Sequence, residues 1–192
     1  MNKDDIVALP HARLRHKSTK VSVFDDELRE FIEKMREASL DWEDSREHEF
    51  CVGLAASQVD DLRRIVILRD DLEDKSNKGF TALINPKIIK TFDPIEVEYE
   101  GCLSVKDIYA QVPRYRKVKV KAQDEDGNEF RMTAEGFQAR LLQHEIDHTN
   151  GVVIIDHVKY NPDAFFRIEE DGKIVKVDYE AEIKDNADLW DD

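Results

Sequence analysis

Leu28, Phe31, Ile32 and Met35 fall at i, i+3, i+4 and i+7, the single apolar stripe of a surface helix. Asp25, Asp26 and Glu27 precede the stripe and suit the positive end of its dipole. Before it, Pro10 breaks any early helix, and the basic run from Arg13 to Lys20 reads as solvated surface. After it, residues 41–49 have no clear period and read as an acidic loop with His48 in solvent. The pattern then changes period. Ile65 to Leu68 is a short continuous apolar run, the signature of a buried strand. Thr81 to Lys90 reads as another strand, broken at Pro86, and Ile95, Val97 and Tyr99 alternate with acidic residues as a half-buried strand does. Val118, Val120 and Ala122 lead through Asp126-Gly127 to Phe130 and Met132, which predicts a hairpin.

A second helix is predicted from about Ala134 to Thr149, with Thr133 as N-cap and Gly151 as a left-handed stop. Phe137, Leu141, His144 and His148 share one face and Ala139, Leu142 and Ile146 the other, so this helix is buried on both sides. Val152 to Ile155 reads as a strand with His157 on the surface beyond it, and Asp171-Gly172 marks a last hairpin before an acidic, frayed end. Together these elements predict an α+β fold: mostly antiparallel small sheets packed around a central buried helix, with an N-terminal surface helix. Residues 1–160 form the catalytic domain on this reading, and 161–192 a C-terminal extension of it.

The chain has 192 residues, enough for one domain that buries about 70% of its unfolded surface, so no metal is needed as a folding staple. Forty-three acidic against 29 basic residues give a net charge of −14, which argues against a grip on nucleic-acid phosphates or an anionic membrane. No apolar run reaches the length of a membrane span, and the first residues lack the pattern of a signal peptide, so a cytoplasmic location is expected. Two cysteines, Cys51 and Cys102, are too few for a disulfide scaffold and turn attention to metal or catalytic roles.

The candidate chemistry lies on the central helix, in Gln143-His-Glu-Ile-Asp-His148. Residues four apart on a helix lie about 40° apart around the axis and about 6 Å along it, so His144 and His148 can hold one metal ion. Glu145 sits beside that ion as a general base. A strand delivers Cys102 between Gly101 and Leu103, where a thiolate can complete the ligand set. Two imidazoles and a thiolate leave a fourth position open, an arrangement that suits Zn or Fe(II). A third stretch, Cys51-Val-Gly-Leu-Ala-Ala-Ser-Gln58, is small and apolar until its end, and Gly53 permits a close backbone approach. The same helix could serve a zincin-type protease, whose third ligand would have to be His157, or a peptide-binding module without catalysis.

Taken together, Cys51–Gln58, Glu100-Gly-Cys-Leu-Ser104 and Gln143–His148 resemble the three motifs of the peptide deformylases, in the same order, with the resemblance running from about Ile6 to Val158. The resemblance implies removal of the formyl group from N-formylmethionyl peptides or nascent chains as they emerge from the ribosome, itself a candidate partner, with Fe(II) as the usual metal and Zn(II), Ni(II) or Co(II) as alternatives. It implies Cys102, His144 and His148 as metal ligands, Glu145 as base and then acid, and Gln58 with the Leu103 backbone amide at the oxyanion. Glu100 and Arg114 match the family's structural pair. Cys51 stands where glycine is commoner and Lys106 where many members have proline, departures that touch the rim of the peptide groove. For the substrate side chain, helical spacing and the motif loops point to Val52, Gly53, Gly101, Phe137 and Leu141. Arg140 shares the face one turn before His144, either lining the slot with its stem while its head reaches water or contacting the peptide.

Overall fold

The computed structural model describes residues 1–192 except 46–49, 170–171 and 191–192. Helix α1 covers Asp26–Asp44, with the Asp25 side chain accepting from the Leu28 amide at 3.0 Å as its N-cap. Its buried stripe is Leu28, Phe31, Ile32 and Met35, continued by Ala38 and Ser39. The helix therefore runs through Asp41–Asp44, which sequence places in a loop; Glu43 on its last turn is drawn inward by a buried partner described below. His48 lies outside the described residues.

The strands join in one antiparallel path, β1 (Gly53–Ala55), β2 (Ile65–Arg69), β3 (Phe80–Cys102), β4 (Val105–Gln123), β6 (Phe165–Ile168) and β7 (Ile174–Lys176), with β5 (Glu129–Glu135) also on β4. What sequence divides into small sheets is thus linked by two long strands. The two segments on either side of residues 90–95 are one strand, β3, whose register against β4 shifts at Ile84/Lys87, Ile88/Lys90 and Phe92/Ile95. Pro86 and Pro94, which cannot donate to the ladder, fall at two of these irregularities. The Asp126-Gly127 hairpin is present, with Gly127 at φ 84°, the left-handed value the turn requires.

Helix α2 spans Phe137–His148, three residues shorter at its start than the apolar pattern suggests. Thr133 is not its cap: it pairs with Lys119 inside β5, and that ladder runs on to Glu135 opposite Lys117. Gly136, at φ 62°, turns the chain from strand into helix. At the other end Gly151 takes the left-handed φ of 76° as expected. Val152–Ile155 does not form a strand. The Asp156 side chain accepts from the Val153 amide at 2.7 Å and curls Ile154–Val158 into a 3-10 turn instead.

Three apolar cores hold these layers together. One lies between α1 and the β1–β2–β3 sheet, and a second packs Ala139, Leu141, Leu142 and Ile146 of α2 on Val66, Leu83, Val118 and Val120. The third gathers Val105, Ala110 and Val112 of β4 with Ile154, Ile155, Phe165, Ile183 and Leu189. The C-terminal segment therefore docks rather than frays as far as Trp190, whose indole N–H donates to the Ile183 carbonyl at 2.6 Å. Arg15, read from sequence as solvated, helps seat it: its guanidinium pairs with Asp156 and with the Leu189 carbonyl. The last hairpin is present as β6 and β7, though Asp171 of its expected turn lies outside the described residues. Among the described residues no helix is long and apolar enough to cross a membrane.

Candidate active site

Three elements meet at the site. Strand β3 ends at Cys102, which pairs with Val105 across the turn Leu103-Ser104. Helix α2 brings His144 and His148 together, ring centroids 5.0 Å apart, as i, i+4 spacing requires. The thiol of Cys102 and one nitrogen of each imidazole all lie within 4.8 Å of one another, and Sγ is 3.3 Å from Nε2 of His148. A single small cation fits among these three atoms, and their chemistry, one soft sulfur and two imidazoles, suits a first-row metal with one position left open.

The electrostatics agree with that fit. Burial pushes the Cys102 thiol up, but the neighbouring imidazoles of His148 and His144 pull it further down, to about 5, so the sulfur is a thiolate at neutral pH. The Nδ1 of His144 is held by Oε2 of Glu100 at 3.1 Å, which leaves Nε2 for the metal. Glu100 is buried, which alone would raise its pKa; hydrogen bonds from His144 and Arg114 outweigh that and hold it well below the usual carboxylate range.

Glu145 is buried beside the ligands, and among the described residues its Oε2 has no hydrogen-bond partner. Burial raises its pKa against the pull of His144 and His148. Its carboxyl lies against Gly53, where a Cβ would come within 2.7 Å of Oε1. Gln58, also buried, accepts from the Ala55 amide at 2.9 Å through its oxygen. Its amide nitrogen points to Ser104 Oγ at 3.1 Å and Cys102 Sγ at 3.8 Å.

Matches to known proteins agree with this geometry. The polypeptide deformylase family matches residues 3–163. A peptide deformylase of Chromohalobacter salexigens is 39% identical over 158 residues, covering 82% of this chain and 87% of the relative. That of Brachyspira hyodysenteriae is 41% identical over 157 residues, covering 81% and 80%. Among solved structures, the Synechococcus elongatus peptide deformylase in complex with actinonin superposes with a TM-score of 0.73 at 36% identity, covering 81% of this chain and 80% of that one. The Thermotoga maritima peptide deformylase gives 0.70 at 36% identity, covering 79% and 95%. The chain belongs to the peptide deformylase family. It is a deformylating hydrolase with an α+β fold.

Spacing alone does not give the surroundings of several residues in the deformylase. Phe137, placed by helical periodicity on the metal face, is 54% exposed at the start of α2, because Gly136 begins the helix at the surface. Leu141 is buried, in a core against which Val52 also packs, and Gly101 lies where a Cβ would strike the Tyr109 ring at 2.7 Å. His157 takes no part in the metal group: its Nε2 is 2.7 Å from Oδ2 of Asp147, and Arg114 reaches both. Arg140 does not reach water. It is buried and bonded, which apolar periodicity has no means of showing. Ser104, which accepts from Gln58 and donates to the Val7 carbonyl at 2.8 Å, was legible only as part of its motif.

Proposed function

We propose that this deformylase removes the formyl group from the N-terminal formylmethionine of nascent polypeptides and releases formate. The observation that carries the reading is the convergence of Cys102, His144 and His148 on one point with the buried carboxyl of Glu145 next to them. A metal held there would supply Lewis acidity, polarising the formyl oxygen and easing ionisation of water near neutral pH. Cys102, His144 and His148 hold it, with Fe(II) as the expected ion and Zn(II), Ni(II) or Co(II) able to use the same donors.

The chain's own groups do the rest. Glu145, whose burial makes it a stronger base than an exposed carboxylate, takes a proton from the attacking water through its unpartnered oxygen. As the water oxygen bonds to the formyl carbon and the carbon–nitrogen bond breaks, Glu145 returns that proton to the leaving amine. The amide of Gln58 and the backbone N–H of Leu103 face the oxygen on which negative charge develops. Gly53 keeps the first motif strand close to Glu145, and Val52, Gly53, Gly101, Phe137 and Leu141 surround the substrate side chain. Residues 1–160 make up the catalytic domain, 161–192 extend it, and the enzyme works in the cytoplasm on chains leaving the ribosome.

The test is formate release from a formyl-Met peptide set beside the acetyl-Met analogue, for wild type and Glu145→Gln. The wild type should act on the formyl peptide and hardly on the acetyl one, whose extra methyl crowds the water. Glu145→Gln should keep its metal and lose about 10²–10⁴ in kcat, the usual worth of a general base. Cleavage of an internal peptide bond with no formate would replace this reading with a protease. Loss of activity in air that nickel substitution prevents would assign iron rather than zinc.

A further inference from the structure

Arg140 lies one turn before His144, and its head group is a buried junction. Nε donates to Oε2 of Glu98 at 3.1 Å, and one terminal nitrogen to Oε1 of Glu100 at 2.7 Å and to the Val112 carbonyl at 2.9 Å. The other donates to the Glu96 carbonyl at 2.8 Å. We propose that Arg140 is a positioning residue for the metal centre, acting through Glu100 to fix the imidazole of His144. The proposal rests on the metal-centre reading above and concerns how that centre is aimed.

The acceptor accounting at Glu100 supports it. Oε1 receives Arg114 Nε at 3.0 Å and Arg140 at 2.7 Å; Oε2 receives Arg114 at 3.0 Å and His144 Nδ1 at 3.1 Å. With both lone pairs of each oxygen used, the carboxylate has one orientation, and the imidazole inherits it. Arg114 alone does not supply this: its Nε and one terminal nitrogen reach Glu100 and its other terminal nitrogen goes to Asp147, so the second position on Oε1 is filled by Arg140. Two guanidinium groups therefore face three carboxylates, Glu98, Glu100 and Asp147, and removing Arg140 leaves Arg114 as the one guanidinium on Glu100 while it also serves Asp147. Arg140 also ties α2 to the main chain of β3 at Glu96 and of β4 at Val112, so it sets how far the ligand helix stands from the strand that carries Cys102. Glu98 is the outer partner, with a side chain 57% exposed, and it contributes little to this alignment.

The experiment measures cobalt(II) affinity by competition with a chromophoric chelator, without substrate, for wild type, Arg140→Gln, Arg140→Lys and Glu98→Gln. Arg140→Gln should weaken cobalt binding by about 10–100-fold, the usual consequence of losing a group behind a ligand. Its cobalt absorption bands should shift, and kcat should fall with KM for the formyl-Met peptide unchanged. Arg140→Lys, a point charge with three donors that cannot serve four acceptors as the fork does, should lie between Gln and wild type. Glu98→Gln should stay within about fivefold of wild type. The proposal is overturned by wild-type cobalt affinity in folded Arg140→Gln, or by a change confined to KM and to the preference for Met over Ala, which would make Arg140 a wall of the substrate slot. If Arg140→Gln does not fold, Arg140→Lys decides by the same measurement. A wild type that binds cobalt yet releases no formate would sink the deformylase reading while leaving these affinities interpretable.

Discussion

The two cysteines sit in two charged neighbourhoods that use the same residue types to opposite ends. Burial pushes the Cys51 thiol up to about 12, the Ser39 hydroxyl nearby does little against it, and the thiol donates to the Gly53 carbonyl. At Cys102 burial pushes the same way, but two imidazoles reverse it and the thiol falls to about 5. Each cysteine has an arginine–glutamate cluster behind it. Near Cys51, Glu43 accepts from the Cys51 amide at 3.2 Å, faces Arg69 at 3.4 Å and takes Lys78 at 2.6 Å. Arg69 is wrapped by the rings of Phe50 and Phe80, and among the described residues its Nε makes no hydrogen bond. Near Cys102, every acceptor position of Glu100 is filled and one partner is a metal ligand. A buried ion pair is thus packing in one place and alignment in the other. What separates them is whether a hydrogen bond leads out of the cluster to a reacting group.

The sharpest way to break this contrast is Cys102→Ala. If three protein ligands share a metal-binding free energy of about 10 kcal/mol, losing one weakens binding by about 10²-fold or more, and activity goes with it. Stoichiometric metal and normal turnover in this variant would dismiss the three-ligand site. Gln58→Leu should come next, lowering kcat by about 10²–10³ while metal content holds, as removal of one oxyanion donor does. A loss confined to KM would mean that Gln58 only holds substrate. On the other side, Arg69→Met breaks a pair whose side chains are both fully buried, though Lys78 stays with Glu43. It should cost about 3 kcal/mol of stability, lowering Tm by about 6–12 °C, with cobalt affinity unchanged. A fall in metal affinity there would erase the distinction between the two clusters. The last test is chemical. In metal-free protein at pH 7, an alkylating reagent should modify Cys102 quickly, whereas Cys51, which burial holds as the thiol, should react only after unfolding. Equal rates would remove the electrostatic difference.

Local patterns were legible wherever one element decided the outcome. The stripe of α1, the Asp126-Gly127 turn and the left-handed Gly151 depend on residues next to one another, and each stands where sequence puts it. The i, i+4 pair of histidines is of the same kind, since helix geometry alone brings the rings within 5.0 Å. Family motifs extended this to Cys102 and Gln58, which meet α2 only through the fold.

What the sequence by itself determined, then, is the histidine pair and the short-range frame that carries it, because bond lengths and helical pitch leave those no choice. Only the tertiary structure decided where long-range pairing overrides local preference. The ladder between β4 and β5 took Thr133 to Glu135 from the helix that their neighbours' apolar period would have extended. Arg140, which periodicity sends to a pocket wall or to water, was drawn inside because β3 and β4 present it with two carbonyls and the Glu100 carboxylate. A charged side chain goes where its hydrogen bonds can be met, and those acceptors come from strands 28 to 44 positions away in the chain, beyond the reach of any local pattern.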